Sequence, residues 1–278
     1  MSFFHRNVAF EPPLRMSAWR KTALAIWRTT YDPSIYGVIE LEAEPVLAYL
    51  EKIRLQSGAR ITLTHFVGKA VGTMLERHPE LNTTLRRGRI YPRQGVNLTF
   101  TVASDGTGSD LGAFTLRDIQ NKSVVEIARE MEPAIREVKE KADPHHRGFK
   151  TIISFFPNWL AQKILACATW IQYDLNLWSP LFGLPRDPYG AALITNIGSL
   201  GLDLAFGALI PATRMSMVVS VGALQDRPVV RQGKVVAGKT ICLAFTIDHR
   251  VIDAVPAGYM AKTFKKIFAD PERELSRS

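Results

Sequence analysis

Cysteine is scarce in this chain of 278 residues: there are two, Cys167 and Cys242. Both sit in apolar runs, and no Cys/His pairs stand at metal-ligand spacing. That excludes a disulfide scaffold, gives no metal site, and leaves two buried free thiols in a reducing, cytoplasmic setting as the expectation. Long hydrophobic runs are lacking too. No uninterrupted apolar stretch reaches the roughly 18 residues that a membrane-spanning helix needs. The opening Met1-Ser-Phe-Phe-His-Arg has neither the sustained apolar segment nor the small-residue cleavage site of a signal peptide. Repeats, low-complexity segments and nucleic-acid-binding motifs are absent, so no nucleic-acid partner is expected. Around the most suggestive histidine there is no nucleophile-elbow serine and no nucleophilic cysteine.

What is present fits a globular protein. Hydrophobic residues make up 46% and the formal charge is +9. The length allows one large domain, taken as 1–278, with an N-terminal arm over 1–15 and an aromatic-rich insertion over 143–190. The densest basic cluster, Arg86-Arg87-Gly88-Arg89, reads as the solvated tip of a hairpin, with a phosphate contact as the alternative.

Periodicity orders the rest. Ser17 caps a helix to about Thr29, and Ile35 to Leu41 alternates as a strand. Glu44 to Gln56 is a helix stopped by Gly58. A helix from Thr62 or Thr64 ends before Pro79. Strands follow over 82–102, and Leu111 to Leu116 can return as another. Ser123 and Glu126 form a capping box that opens a helix to about Lys141. The insertion is dense in Phe, Trp, Leu and Ile, with a helix from Pro157-Asn158 to about Tyr173. It reads as a core helix or subunit contact, or else as a substrate lid or a helix at a membrane surface. Strands dominate afterwards, including a hairpin through Val229-Val230 and Val235-Val236. A last helix carries Met260, Phe264, Ile267 and Phe268 on one face.

One stretch concentrates chemistry. Phe245-Thr246-Ile247-Asp248-His249-Arg250-Val251-Ile252-Asp253 leaves a buried apolar strand just before a helix. A histidine and an aspartate four apart at such an exit are fixed by a rigid element yet accessible. The nonapeptide resembles the active-site signature of the catalytic core of dihydrolipoamide acyltransferases of 2-oxoacid dehydrogenase complexes, with chloramphenicol acetyltransferase as a relative. Other segments are similar in the same order: Trp19-Arg20-Lys21-Thr22-Ala23; Leu63 to Leu85 with Phe66, Lys69-Ala70-Val71, His78-Pro79 and Asn82; Val96-Asn97-Leu98; Thr195-Asn196-Ile197-Gly198; and Ser220-Val221-Gly222. The resemblance covers about 16–272 apart from 143–190.

The resemblance implies an α/β fold in two layers, a mixed sheet packed against helices. It implies a homotrimer whose active sites lie between subunits, and coenzyme A or acyl-CoA as substrate, with no metal. His249 becomes the general base that takes a thiol proton while the sulfur attacks an acyl thioester. A thiol and an imidazole ordinarily titrate near about 8.5 and about 6.5, which suits that transfer. Thr195 becomes the hydroxyl that stabilises the tetrahedral oxyanion. Asn196 and Ser199 in the same turn are candidate substrate-binding residues. Asp253 orients the histidine loop through an ion pair with Arg20, or caps the following helix.

Three departures qualify the likeness. Ala254 stands where the family usually has glycine after the motif aspartate. No lipoyl domain or Ala/Pro-rich linker is seen, so a lipoyl group has to come from another protein. Residues 143–190 are longer and more aromatic than the family's connection, with a membrane surface through 149–189 as one reading. The polar C-terminus, with Leu275 its one apolar residue, leads to the expectation of an isolated trimer. Alternative functions are acyl transfer to a hydroxyl, amine or lipid-like acceptor, and a catalytically idle trimeric scaffold.

Overall fold

The computed structural model describes residues 5–13, 33–103, 111–141, 158–182 and 184–275. The helix expected over 17–29, with Arg20, lies outside them.

After Pro33 the alternating segment becomes β2 (Ser34–Glu42). It leads into α1 (Glu44–Ser57), which Gly58 ends at φ 64, returning its N–H to the Arg54 carbonyl. That left-handed position is why glycine stands there. The next helix, α2 (Leu63–Arg77), starts at a capping box in which His65 takes the role usually held by Glu or Gln. The Thr62 N–H donates to His65 Nδ1 at 2.9 Å. Hairpin β3 (Thr83–Arg86) and β4 (Arg89–Pro92) precedes β5 (Leu98–Ala103) and β6 (Leu111–Leu116). The Ser123–Glu126 box forms as expected and opens α3 (Val124–Lys141). In the insertion, α4 (Asn158–Thr169) runs on as a π turn over Trp170–Asp174. Then come β7 (Leu177–Trp178), paired with β1 (His5–Arg6), β8 (Ala192–Asn196), and the long hairpin β9 (Met217–Arg231) and β10 (Lys234–Asp248). Helices α5 (Ala254–Ala269) and α6 (Pro271–Leu275) finish the described chain.

The main sheet has the order β2-β10-β9-β8-β5-β6, and β8 runs parallel to both neighbours while the other pairs are antiparallel. Alternation decides its faces. Met217, Val219 and Val221 of β9 and Leu243, Phe245 and Ile247 of β10 point into one core with Phe66, Val71, Phe264 and Phe268 from the helices. Each fully buried side chain of this size contributes about 1.5–3 kcal/mol. The other residues of these strands, among them Val218, Ser220, Ala244 and Thr246, face outward. The loop after β8 crosses that outer face: the Phe206 ring packs on Tyr36 at 5.1 Å, and Gly207 lies over Val218 and Ser220. The result is the two-layer arrangement of mixed sheet and helices that the sequence suggested.

Two expectations are corrected. Cys167 is exposed and Cys242 half-buried. Alternation explains the second, since Ile241 and Leu243 face the core and Cys242 between them faces out. Arg86 is not a solvated tip residue: its guanidinium lies 5.3 Å from the Phe10 ring and 5.6 Å from the Tyr91 ring, and its Nε donates to the Asp174 carbonyl. The arm and the insertion come together only in three dimensions, and they supply those partners. Only Arg87, Gly88 and Arg89 stay exposed at the turn.

Arm and insertion are joined by a buried polar cluster. Asn7 is fully buried; its backbone N–H donates to the Asn176 carbonyl, its amide donates to the Gln172 carbonyl, and its Oδ1 accepts from the Asp187 N–H. Asn176 closes the reciprocal pair with the Val8 N–H and carbonyl, each at 2.6 Å. Arg93 and Asp187 form a buried ion pair at 2.7 Å, and Asn97 Nδ2 donates to the same carboxylate at 2.9 Å. Gly190 sits against Asn97, where a Cβ would come within 2.1 Å of the carbonyl oxygen.

The His65 cap gives a pH prediction. Burial, and then the Arg54 charge, push its pKa down to about 4. A histidine in an unfolded chain titrates near about 6.5, so the unfolded state binds the extra proton first. Stability is then fully present above the unfolded pKa and falls as pH drops toward 4, by at most about 1.4 kcal/mol per pH unit. Urea melts between pH 7 and 4 should show that slope. His65→Gln, which keeps a capping acceptor, should flatten it; an identical slope in the variant would reject the assignment.

Candidate active site

His249 is delivered by the end of β10. Asp248 is the last strand residue, and its N–H donates to the Ser216 carbonyl, while the His249 N–H donates to the Pro33 carbonyl at 2.8 Å. The turn is then held from below. Arg250 reaches back two residues to Asp248, with Nε 3.0 and 3.1 Å from the two carboxylate oxygens and Nη2 2.7 Å from Oδ2. Both partners are buried. A bidentate pair in that setting fixes the loop geometry. Sequence reasoning assigned it no role, although acid and base flanking the histidine two apart was the available signal.

The imidazole is oriented by its own loop. His249 Nδ1 lies 3.0 Å from the Ile252 carbonyl oxygen. A carbonyl can only accept, so Nδ1 carries the proton and the ring's lone pair is on Nε2. The Asp253 carboxylate stands 3.4 Å from the same Nδ1. Asp253 occupies the N-cap position of α5 but makes no capping hydrogen bond. Its side chain thus lies beside the histidine and does not cap the helix, and its expected partner Arg20 is outside the described residues. Ala254 opens α5 with no positive φ, so alanine meets no backbone strain where the family usually has glycine.

Thr195 lies elsewhere. It is the penultimate residue of β8 and faces outward, level with Ser220, which is level with Ala244 of β10. His249 is five residues further along β10. At about 3.3 Å per residue and about 4.8 Å between strands, the two are roughly 15 Å apart along the strands and two strands across. The chain therefore does not bring His249 and Thr195 together. The turn after Thr195 is anchored through Asn196: its Nδ2 donates to Thr64 Oγ1 at 2.8 Å, and its Oδ1 accepts from the Ser199 N–H at 3.1 Å. Ser199 Oγ donates to the Asn196 carbonyl at 2.7 Å. Asn196 and Ser199 thus hold the Thr195 turn against the start of α2. Thr64 was missed as a partner, because only folding sets α2 beside this turn.

The insertion ends on the His249 side of the sheet. The Ala191 N–H donates to the Asn97 carbonyl, the Ser216 N–H to the Ala191 carbonyl, and the Asp248 N–H to the Ser216 carbonyl. This line of bonds runs across the strand ends from the insertion's exit to the histidine turn. Among the described residues, no group of three or more His, Cys, Asp or Glu side chains is placed to hold a metal, and no helix is long and apolar enough to cross a membrane.

The mixed sheet under one layer of helices is a fold shared with chloramphenicol acetyltransferase: that structure aligns with a TM-score of 0.56 over 94% of this chain and 100% of its own, at 15% identity. The family model of the 2-oxoacid dehydrogenases acyltransferase (catalytic domain) matches residues 15–146 and 189–275, and the chain belongs to this family. Residues 147–188 fall outside the match. A probable dihydrolipoamide acetyltransferase from Listeria monocytogenes superposes with a TM-score of 0.65, at 18% identity, over 93% of this chain and 94% of that one. The acetyltransferase component of the acetoin cleaving system of Bacillus subtilis is 25% identical over 214 residues, 77% of this chain and 43% of that protein. The succinyltransferase component of the 2-oxoglutarate dehydrogenase complex of Haemophilus influenzae is 24% identical over 240 residues, 85% of this chain and 48% of that protein. The chain thus spans about half the length of these curated relatives.

Proposed function

We propose that the protein transfers acyl groups between a CoA thioester and a thiol of the dihydrolipoamide type. The observation that carries this reading is the orientation of His249, whose Nδ1–H is held by the Ile252 carbonyl so that Nε2 accepts a proton. The acceptor thiol gives its proton to Nε2 as its sulfur attacks the thioester carbonyl. The oxyanion accepts a hydrogen bond from a Thr195 hydroxyl. Collapse expels the CoA thiolate, which takes the proton back from the imidazolium. Asp253 stabilises that imidazolium, and Asn196 and Ser199 position Thr195 and line the substrate path.

The separation of His249 from Thr195 along the sheet supports a homotrimer in which one subunit supplies the base and its neighbour the hydroxyl. An apolar outer surface suits such a contact: Tyr36 is 57% and Phe206 42% exposed, and Val38, Leu202, Leu204 and Ile210 are also exposed. We take the assembly to be an isolated trimer; a 24-mer or 60-mer in light scattering would rule that out. Thiol release from acetyl-CoA and longer acyl-CoAs, with and without dihydrolipoamide, tests the reaction, and no turnover with any pair would leave the idle-scaffold reading. Thr195→Val is expected to lower kcat by about 10²–10³-fold with the CoA KM little changed. A KM effect alone would reject the oxyanion role.

A second reading has a specific observation behind it. The segment outside the family match ends beside the histidine turn and exposes Trp170 at 51% and Leu181 at 68%. These apolar surfaces suit a hydroxyl, amine or lipid-like acceptor, with residues 149–189 resting on a membrane surface. Flotation with anionic liposomes, for the intact chain and for Trp170→Ser/Leu181→Ser, decides this reading.

A further inference from the structure

A cavity of about 690 Å³ opens between the last turns of α2 and the exposed side of α5. We propose that it binds a phosphate-bearing small molecule. Lys262 and Lys266 stand one turn apart on α5 and line it. They repel each other at that spacing, and no carboxylate pairs with either among the described residues. Lys262 Nζ is instead held 5.9 Å from the centre of the Tyr259 ring. Thr73 also lines the cavity; it is 1% exposed, and its hydroxyl has no hydrogen-bond partner among the described residues. A buried donor left unmatched is costly unless something fills the role.

The remaining wall is built and fixed. The His78 ring lies parallel to Tyr259, 4° between planes and 6.1 Å between centres. Its Nε2 is 2.9 Å from Thr263 Oγ1 and its Nδ1 3.2 Å from Glu80 Oε1. Arg77 is committed to the Glu274 carboxylate and carbonyl, each at 2.7 Å, and its hydrogen bond holds the Glu274 carboxyl below the ordinary carboxylate range. Glu76 is the other acid on the lining. With Arg77 and Glu274 cancelling, two lysines face one carboxylate, so the cavity is net positive. Two ammonium groups and one hydroxyl offer more donors than a single carboxylate can satisfy, and the three oxygens of a phosphate meet them. The site does not depend on the acyl-transfer reading. Lys262 is nine residues along α5 from Asp253, about 13 Å at 1.5 Å per residue.

Calorimetric titration of the whole chain with inorganic phosphate, pyrophosphate and CoA tests the proposal. Saturable binding of at least one probe is expected, weakened at least tenfold in Lys262→Ala/Lys266→Ala. Thr73→Val, which replaces an unsatisfied hydroxyl by a methyl, should weaken the same binding without lowering the melting temperature. If the lysine pair changes CoA and pyrophosphate alike, the phosphates of CoA are the source; if it changes pyrophosphate alone, a separate phosphate compound is. No saturable binding by any probe, or the same affinity in the lysine variant, overturns the proposal.

Discussion

Replacing His249 with alanine is expected to lower kcat by about 10²–10⁴-fold, the contribution of a positioned general base, while the folded assembly is retained. Retention follows from the loop's construction. The backbone bonds to Pro33 and Ser216, and the buried Asp248–Arg250 pair, hold the turn without the imidazole. Unchanged turnover would remove His249 from the mechanism. The sheet register permits a sharper experiment. His249→Ala and Thr195→Val, each nearly inactive alone, are unfolded together and refolded into mixed trimers. If base and hydroxyl belong to different subunits, randomly mixed trimers contain intact pairs at about one site in four, and activity returns to roughly that fraction of wild type. Recovery is impossible if both groups act within one chain, so a mixture as inactive as its components would reject the shared site.

The largest stability effect is expected at Asp187. Arg93 and Asp187 have side chains 2% and 5% exposed. Asp187→Ala leaves a buried guanidinium without its carboxylate, a loss of about 3–5 kcal/mol. For a chain of this size that lowers Tm by roughly 10 °C. Replacing both residues by apolar ones of similar volume, Arg93→Met with Asp187→Leu, should restore most of the loss, since desolvating the pair offsets much of its attraction. A double variant as unstable as Asp187→Ala would mean that the Asn7, Asn97 and Arg93 contacts act as one unit. Acid should unfold the wild type in the same region. Burial raises the Asp187 carboxyl's pKa, but the Arg93 charge and the hydrogen bonds from Asn97 and Arg93 outweigh it and hold it below the ordinary range. A carboxyl depressed in the folded state stabilises above its unfolded pKa of about 3.9, and that stability is lost as pH falls through the lower folded value. Asp187→Asn should remove this part of the acid limb.

Much of this was legible in the chain itself. Local rules suffice for Gly58 ending α1, for the Ser123–Glu126 box opening α3, and for the alternation that puts Phe245 inside and Thr246 outside. The histidine signature was readable because its chemistry is contiguous: strand, Asp248, His249, Arg250 and Asp253 lie within a few residues. Arg86 was misjudged because its partners Phe10 and Asp174 are remote in sequence. The Asn7–Asn176 and Arg93–Asp187 contacts were invisible for the same reason, since pairings across 80 or more residues leave no periodicity behind.

The sequence by itself thus determined the element types, the family and the place of the histidine signature, because propensity, capping and a contiguous motif act over short range. Only the tertiary structure decided where those groups stand. Strand order and register set His249 and Thr195 five residues apart along the sheet and two strands across, and the same packing seats the insertion's exit beside the histidine turn. Register is a property of which strands pair, and that is fixed by the burial of a whole face rather than by any one segment.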